Sequence, residues 1–132
     1  LYVYRSYGIH HCANIVTGPT EIGAAVLLRA GEVVDGLDVA RNRRGDVSDH
    51  QLACGPGNLA QALGITLVDL GTEVLDETSA IHLGPEVDTR RRISAGPRVG
   101  VSKAPDVPWR FWLDGERSVS AYKRSPRAVP LP

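Results

Sequence analysis

Apolar and polar residues alternate at the start of the chain, which is the pattern of a half-buried β-strand. Tyr2 and Tyr4 are two residues apart and therefore share one face of that strand. The alternation breaks at Tyr7-Gly8 and resumes over residues 9–16. This segment predicts a β-hairpin that carries Tyr7 at its tip.

The hairpin register decides which side chains share a face. We expect a three-residue turn, Ser6-Tyr7-Gly8, with the glycine in the left-handed region. Tyr4 then pairs with His10, and Asn14 lies on the same face, whereas a two-residue turn would put Asn14 on the opposite face. At ~3.4 Å per residue, Asn14 would be about 13 Å from His10 along the strand, so the sheet must curve to bring both around one ligand.

Short apolar runs between glycine and proline turns predict the remaining elements. Residues 24–29 read as a buried strand, and Asp35 is placed to N-cap a helix that runs to Arg44. A second helix should open at Gly55-Pro56-Gly57 and end at Gly64. Its buried side is predicted to hold three residues: Leu59, Ala60 and Leu63.

Three further strands are predicted late in the chain, at residues 98–102, 110–113 and 118–122, the last two joined at Asp114-Gly115. Together these elements predict an α+β fold: a single domain with a curved, mainly antiparallel sheet, a protruding hairpin and short flanking helices. The domain is expected over residues 1–124, followed by a proline-rich tail over residues 125–132.

Composition narrows the class of protein. A chain of 132 residues that is 42% hydrophobic suits one globular domain, and no apolar run approaches the ~20 residues that span a bilayer. The two cysteines, Cys12 and Cys54, lack a CxxC spacing and suit a reducing compartment. Arginine outnumbers lysine thirteen to two, as in high-GC genomes. We therefore expect an intracellular bacterial protein, in the cytoplasm or nucleoid, with no membrane partner.

Charge alone does not indicate a nucleic-acid partner, because the net charge is zero. The basic residues are clustered, however, and a neutral protein can still present a basic face to DNA. The alternative for each cluster is a solvated helix end or tail. The clusters are residues 41–44, 90–92 and 123–127. The run His10-His11-Cys12 does not predict a metal site, since adjacent strand residues point to opposite faces.

Several ordered motifs together resemble the alkyladenine (3-methyladenine) DNA glycosylase family over residues 1 to about 121. They are Tyr2-Val3-Tyr4, Tyr7-Gly8, Cys12-Ala13-Asn14-Ile15-Val16, Ala25-Val26-Leu27-Leu28-Arg29-Ala30, Gly36-Leu37, Arg41-Asn42-Arg43-Arg44, Cys54-Gly55-Pro56-Gly57-Asn58-Leu59, Gln61-Ala62-Leu63-Gly64-Ile65, Pro97-Arg98-Val99-Gly100-Val101 and Pro108-Trp109-Arg110-Phe111.

The resemblance implies roles for individual residues. Tyr7 matches a tyrosine that intercalates in DNA as a wedge, and Tyr4 matches the residue that stacks on a flipped-out base. Asn14 matches the residue that crowds the 2-amino group of guanine. Ile9 and His10, which follow the wedge, match positions that contact DNA, and Lys103 lies in a loop that resembles a phosphate-contacting loop. Arg29 matches a residue that contacts phosphate near the flipped nucleotide. The alternative for Arg29 is an internal salt bridge, such as one with Glu32.

The family carries its catalytic glutamate in a segment before this hairpin, and this chain, which contains no methionine, begins at Leu1 inside the predicted strand. We therefore expect it to correspond to the C-terminal two-thirds of a glycosylase and to hold no catalytic residue of its own. The resemblance implies a monofunctional, cofactor-free and metal-free enzyme, acting as a monomer on double-stranded DNA that contains alkylated bases.

The implied function is base-excision repair, by hydrolysis of the N-glycosidic bond of alkylated purines such as 3-methyladenine. Two alternatives stay open on the sequence. One is a non-catalytic DNA-binding fragment. The other is a small-molecule-binding β domain, which would not need an exposed Tyr7.

Overall fold

The computed structural model describes residues 1–87 and 90–129, which fall into two compact units, Leu1–Val87 and Asp88–Pro132. The first unit contains strands β1 (Tyr2–Ser6), β2 (His10–Thr17) and β3 (Ala24–Leu27), and helices α1 (Leu37–Arg44) and α2 (Pro56–Leu63). Short 3₁₀ turns lie at Asp49–Gln51 and Leu67–Asp69. The second unit contains strands β4 (Ile93–Gly96) and β5 (Arg110–Leu113).

The first unit is built on a three-stranded antiparallel sheet in the order β1-β2-β3. Alternation gives the sheet two distinct faces. On one face Leu1, Val3 and Ala13 pack with Ala60 of α2 and with Ile65 in a buried apolar cluster. This cluster places helix α2 against the central strand β2.

The second helix begins and ends where its glycines and proline predict. Pro56 occupies the first turn after Gly55, and Gly64 closes the helix in the left-handed region at φ 71°. Its buried residues are Leu59, Ala60 and Ala62, whereas Leu63, predicted to be buried, is exposed. Leu59 and Ala62 contribute to a second apolar cluster, together with residues of α1 and of the following loop: Ala40, Leu52 and Ala53.

Helix α1 starts one residue later than the sequence predicts. The N-cap is Gly36, not Asp35, because Gly36 has φ 65° and its N–H is already bonded to the Asp35 carboxylate at 2.8 Å. Gly45 ends the helix as expected. The third strand was also predicted too long and too buried: β3 spans only Ala24–Leu27, and Val26 is 56% exposed, because this is an edge strand without a covering layer.

The second unit differs most from the prediction. β5 forms where expected, but it pairs with Ile93–Gly96. Residues 98–102 and 118–122 form turns and loops instead of strands. Asp114-Gly115 does make a turn, with the Glu116 N–H bonded to the Leu113 carbonyl, although no strand follows it within residues 116–129. Of the predicted tail, residues 130–132 lie outside the described residues.

The α+β class, the antiparallel sheets and the short helices are confirmed. The assignment of residues 1–124 to one domain stays a prediction. No helix within residues 1–87 and 90–129 is long and apolar enough to cross a membrane.

Candidate nucleic-acid interface

The tip of the hairpin presents a tyrosine ring to solvent. The turn consists of Tyr7, Gly8 and Ile9, and the Ile9 N–H donates to the Ser6 carbonyl at 3.2 Å. Tyr7 and Gly8 both lie in the left-handed region, at φ 51° and 70°. Tyr7 is 89% exposed and Ile9 is 74% exposed, which confirms the predicted exposure of the ring.

The left-handed backbone at Tyr7 has an energetic cost. A residue with a Cβ in this region is strained by about 1–2 kcal/mol relative to the right-handed form. Glycine carries no such penalty and is the usual choice for a turn of this kind. A tyrosine held there, with its ring in water, contributes nothing to the core, and strain of this sort tends to concentrate at functional positions.

The register of the hairpin differs from the prediction by two residues. Ser6 pairs with His10, Tyr4 pairs with Cys12 and Tyr2 pairs with Asn14, so the predicted Tyr4–His10 pair and the Ser6-Tyr7-Gly8 turn are wrong. The turn starts one residue later because Tyr7, as well as Gly8, adopts the left-handed conformation. An even shift preserves the faces, so Asn14 does lie on the face of Tyr4.

The corrected register brings Asn14 much closer to Tyr4 than was expected. Asn14 pairs with Tyr2, so it lies one position further along this face than the Tyr4–Cys12 pair. The four-residue separation of His10 and Asn14 along β2 does not depend on the register, so the expected curvature stays a prediction. The Tyr2 and Tyr4 rings are 5.9 Å apart between centroids and inclined at 31°. Rings at this separation form a favourable aromatic pair and make a continuous aromatic patch on this face.

Arg29 lies two residues after the end of the third strand, at a position on the same face. Asn14 pairs with Leu27, and the Leu28 N–H bonds the Ala13 carbonyl at 3.0 Å, which extends the pairing beyond β3. The next position in this register sets Arg29 across from Cys12. Its proximity to Tyr4 is evident electrostatically, because the Arg29 charge acts to lower the pKa of the Tyr4 hydroxyl.

The pKa of Tyr4 is nevertheless raised above its ordinary value. Desolvation by burial is the largest cause, and the hydrogen bond with the Cys12 side chain and the neighbouring Cys12 and Tyr2 groups raise the pKa further. The hydroxyl is therefore neutral at physiological pH. Cys12 is buried and has no disulfide partner. Its part in this face was missed from the sequence, because only the corrected register sets it opposite Tyr4.

Asn14 is buried at 8% exposure and is fixed by its own strand pair. Its Nδ2 donates to the carbonyls of Tyr2 at 3.3 Å and Cys12 at 3.4 Å. In the part of the chain that the structure describes, no hydrogen bond to Oδ1 is found. The amide therefore offers an acceptor, held in place by its donors, beside the Tyr2–Tyr4 patch.

We call the side chains of Tyr2, Tyr4, Asn14 and Arg29 the polar sheet face. It combines aromatic rings, an amide acceptor and a guanidinium at the root of a hairpin whose tip is a solvated tyrosine. Such a set can hold a flat, polar or cationic ring by stacking and hydrogen bonding, and an anion beside it through the guanidinium.

His10 is positioned by helix α2. A Cβ built on Gly57 would lie only 3.1 Å from the His10 Cβ, Cγ and Nδ1, so the imidazole packs on the bare backbone of the first helical turn. An open cleft of about 540 Å³ lies here, lined by residues that include Ile9, His10, His11 and Arg43. This cleft was not foreseen from the sequence, although Gly57 was a signal of close backbone approach.

The first basic cluster is largely engaged within the protein. Arg41 forms a bidentate pair with Asp49, Arg43 donates to the Ala62 carbonyl at 3.0 Å, and Arg44 donates to the Leu52 carbonyl at 2.8 Å. In the other clusters Arg91 pairs with Glu116, Arg92 with Asp114, and Arg124 with Asp106. Contacts within the protein therefore engage many of the arginines.

Lys103 lies in the second unit, in the loop before β5. Its side chain is exposed, and its carbonyl accepts a hydrogen bond from Arg98 at 2.7 Å. Arg98 also bonds the Ala104 carbonyl at 3.2 Å and lies 5.3 Å from the Trp109 ring centroid. These contacts fix the shape of the loop that carries Lys103. No group of three or more potential metal ligands occurs among the described residues.

Comparison with known proteins assigns the chain to a family. The family model described as "Methylpurine-DNA glycosylase (MPG)" matches residues 1–117. The chain therefore belongs to the methylpurine-DNA glycosylase family.

Relatives with similar sequences are bacterial. A protein of Nocardia farcinica named "Putative 3-methyladenine DNA glycosylase" is 56% identical over 130 residues, which cover 97% of this chain and 61% of the relative. A protein of the same name from Mycobacterium sp. (strain KMS) is 53% identical over 133 residues, covering 100% of this chain and 64% of the relative. The chain thus spans less than two-thirds of the length of these relatives.

Proposed function

We propose that the protein is a DNA repair glycosylase that hydrolyses the N-glycosidic bond of alkylated purines, such as 3-methyladenine, after they are flipped out of duplex DNA. It would act as a monomer and without a cofactor. The observation that carries the proposal is the pairing of a solvated, left-handed Tyr7 at the hairpin tip with the polar sheet face behind it.

Tyr7 is proposed as the wedge. A base inside a duplex is inaccessible, so an enzyme that acts on it must extrude it and support the gap that remains. A flat aromatic ring fills such a gap by stacking on the flanking base pairs. Support comes from its exposure in the free protein, since a wedge must be available before contact, and from Ile9, which is exposed beside it.

The polar sheet face is proposed as the wall of the base pocket. Purines alkylated at N3 carry a positive charge, and a tyrosine face attracts a cation by about 0.5–2 kcal/mol depending on desolvation. Stacking on Tyr4 therefore favours the damaged base over the neutral one. Asn14 would add selection by shape, because its side chain is buried and held by two carbonyls and cannot swing away from a bulkier purine edge.

Arg29 is proposed as a phosphate contact beside the flipped nucleotide, because its charge acts on Tyr4 and lowers the pKa of that hydroxyl. His10 and Ile9 would contact the backbone next to the wedge, where they border the cleft that also holds Arg43. Lys103 is proposed as a further phosphate contact through the loop that Arg98 shapes. Phosphate contacts position a protein on DNA without reading its sequence.

Hydrolysis needs a carboxylate that activates water within about 3 Å of the nucleophile. The charged and polar groups acting on Tyr4 are Cys12, Tyr2 and Arg29, and none of these is a carboxylate. We therefore expect residues 1–132, expressed alone, to release no base. The same observation favours the second candidate function for this stretch of chain: DNA binding without catalysis.

Base release from alkylated DNA tests the proposal directly. The protein expressed from its natural gene is incubated with duplex DNA methylated by dimethyl sulfate, and free 3-methyladenine is measured by chromatography. We expect release by the wild type and a large loss in Tyr4→Ala. Phe111→Ala is the matched control, because Phe111 is an exposed aromatic residue outside the hairpin. No release by the wild type, with retained binding to the duplex, would favour the non-catalytic alternative.

A further inference from the structure

A buried arginine in the second unit is not used by the proposed function. Arg110, the first residue of β5, is 8% exposed. Its guanidinium donates to the Ser120 carbonyl and lies 5.0 Å from the centroid of the Trp112 ring. Among the described residues it makes no other hydrogen bond and no ion pair. A guanidinium carries five N–H donors, so most of the donors of Arg110 have no protein partner among the described residues.

None of the described acids of this unit pairs with that charge. The described carboxylates of the second unit are Asp106, Asp114 and Glu116, and each pairs with a different arginine: Arg124, Arg92 and Arg91. Removing a charge from water without a counter-ion is costly, and an oxyanion that entered the site would repay that cost. The planar fork of arginine matches carboxylate and phosphate groups in two-point geometry.

Arg110 lines an open cavity whose size suits a small molecule. This cavity of about 360 Å³ is lined by Pro97, Arg110, Trp112, Val119, Ser120 and Tyr122. Small-molecule sites are typically about 300–1,000 Å³, mainly apolar or aromatic, with few polar groups that fix orientation. The lining of this cavity has that composition, because two aromatic rings, a proline and a valine surround one arginine.

Gly96 keeps the cavity in shape. It pairs with Arg110 across the two strands, and a Cβ on it would lie 3.0 Å from Cη2 of Trp112. The Trp112 ring therefore lies directly over the glycine backbone. Because Arg110 and Trp112 are two residues apart on β5, they share the face that borders the cavity.

We infer that this cavity is a binding site for a small anionic ligand, in which a carboxylate or phosphate group on a flat ring pairs with Arg110 while the ring packs against Trp112. The site lies wholly within the second unit and does not depend on the proposed glycosylase function. Arg110 supplies the charge pairing and Trp112 and Tyr122 supply the apolar walls.

Calorimetric titration of the protein expressed from its natural gene tests the site with four probes: phenyl phosphate, benzoate, inorganic phosphate and neutral benzamide. We expect phenyl phosphate and benzoate to bind, with inorganic phosphate and benzamide at least ten-fold weaker because each lacks one half of the recognition. Arg110→Gln should weaken phenyl phosphate at least ten-fold, whereas Arg117→Gln, an exposed arginine of the same unit, should not.

A second measurement does not rely on the fold of a variant. Phenyl phosphate added to the wild-type protein should shift the indole N–H resonance of Trp112 but not that of Trp109, the two being assigned with the Trp109→Phe protein. Absence of saturable binding, equal binding of benzamide or of inorganic phosphate, or unchanged affinity in a folded Arg110→Gln variant would overturn the inference. An unshifted Trp112 resonance in the presence of bound phenyl phosphate would do the same.

Discussion

The two faces of the β1–β3 sheet are built from alternate residues of the same strands, yet they do different things. Val3 and Ala13 face helix α2 and are almost fully buried among apolar neighbours. Tyr2 and Tyr4, one residue away from Val3 on either side, face the other way together with Asn14. Because side chains alternate between the two faces of a strand, one face packs in the core and the other is proposed to bind the base. A substitution on one face should therefore leave the other face largely intact.

The largest difference between the two faces is expected when a charged residue is introduced on each of them in turn. Ala13→Asp would put a carboxylate without a partner into the apolar cluster, and we expect a loss of about 3–5 kcal/mol in the free energy of unfolding, as for other uncompensated buried charges. Tyr2→Asp, on a half-exposed position, should cost about 1 kcal/mol or less. Urea unfolding measures both, and equal losses would mean that the faces are not distinct.

The next effect concerns recognition alone. Tyr4→Ala should slow the release of 3-methyladenine by about 30-fold, because stacking of a base on an aromatic side chain contributes about 1–3 kcal/mol. Tyr4→Phe keeps the ring and should retain most of the activity. Single-turnover kinetics on methylated duplex DNA gives both rates. A Tyr4→Phe protein as slow as Tyr4→Ala would assign the effect to the hydroxyl and its Cys12 contact instead of the ring.

A phosphate contact made by Arg29 should be measurable in the salt dependence of the DNA-binding affinity. Each phosphate contact contributes about 0.9 to the slope of log affinity against log salt, so Arg29→Ala should reduce that slope by roughly one unit. Arg41→Ala is the matched control, since Arg41 is engaged with Asp49. An unchanged slope in Arg29→Ala would place this side chain in an internal contact.

Alkaline pH should produce the smallest effect. The pKa of Tyr4 is raised in the folded protein above the ordinary value of 10.0, mainly by desolvation. The neutral phenol is thus favoured by folding: its contribution is complete below pH 10 and is lost as pH rises through the raised pKa. Tyr4→Phe should lose less stability above pH 10 than the wild type. Identical pH profiles in thermal unfolding would contradict the desolvation of Tyr4.

The hairpin could be predicted from the sequence because its signals are local. Alternation across residues 2–6 and 10–17 and a glycine at the turn indicate two strands and a tip, and an even error in register left every residue on its proper face. The register itself depends on Tyr7 adopting a left-handed conformation, which sequence rules assign to Gly8 alone. Cys12 lies opposite Tyr4 only in the observed register, so their proximity could not be predicted without the left-handed conformation of Tyr7.

The second unit was harder to predict because its pairing is non-local. β5 was recognisable, but its partner lies at Ile93–Gly96, more than a dozen residues upstream, and not in the segment that follows the Asp114-Gly115 turn. The cavity around Arg110 could not be foreseen either. It depends on Gly96 accommodating the Trp112 ring, and a single glycine gives no hint of which ring will cover it.

The central claim is that Tyr7 fills the gap left by a flipped base, and the most direct measurement compares duplex with single-stranded DNA. Tyr7→Gly removes the ring and suits the left-handed backbone, so the variant should be as stable as the wild type or about 1 kcal/mol more stable. We expect it to bind methylated duplex about ten-fold more weakly, while its affinity for the same methylated single strand is unchanged, since only the duplex leaves a gap. Equal losses on both substrates, or no loss on the duplex, would contradict the account.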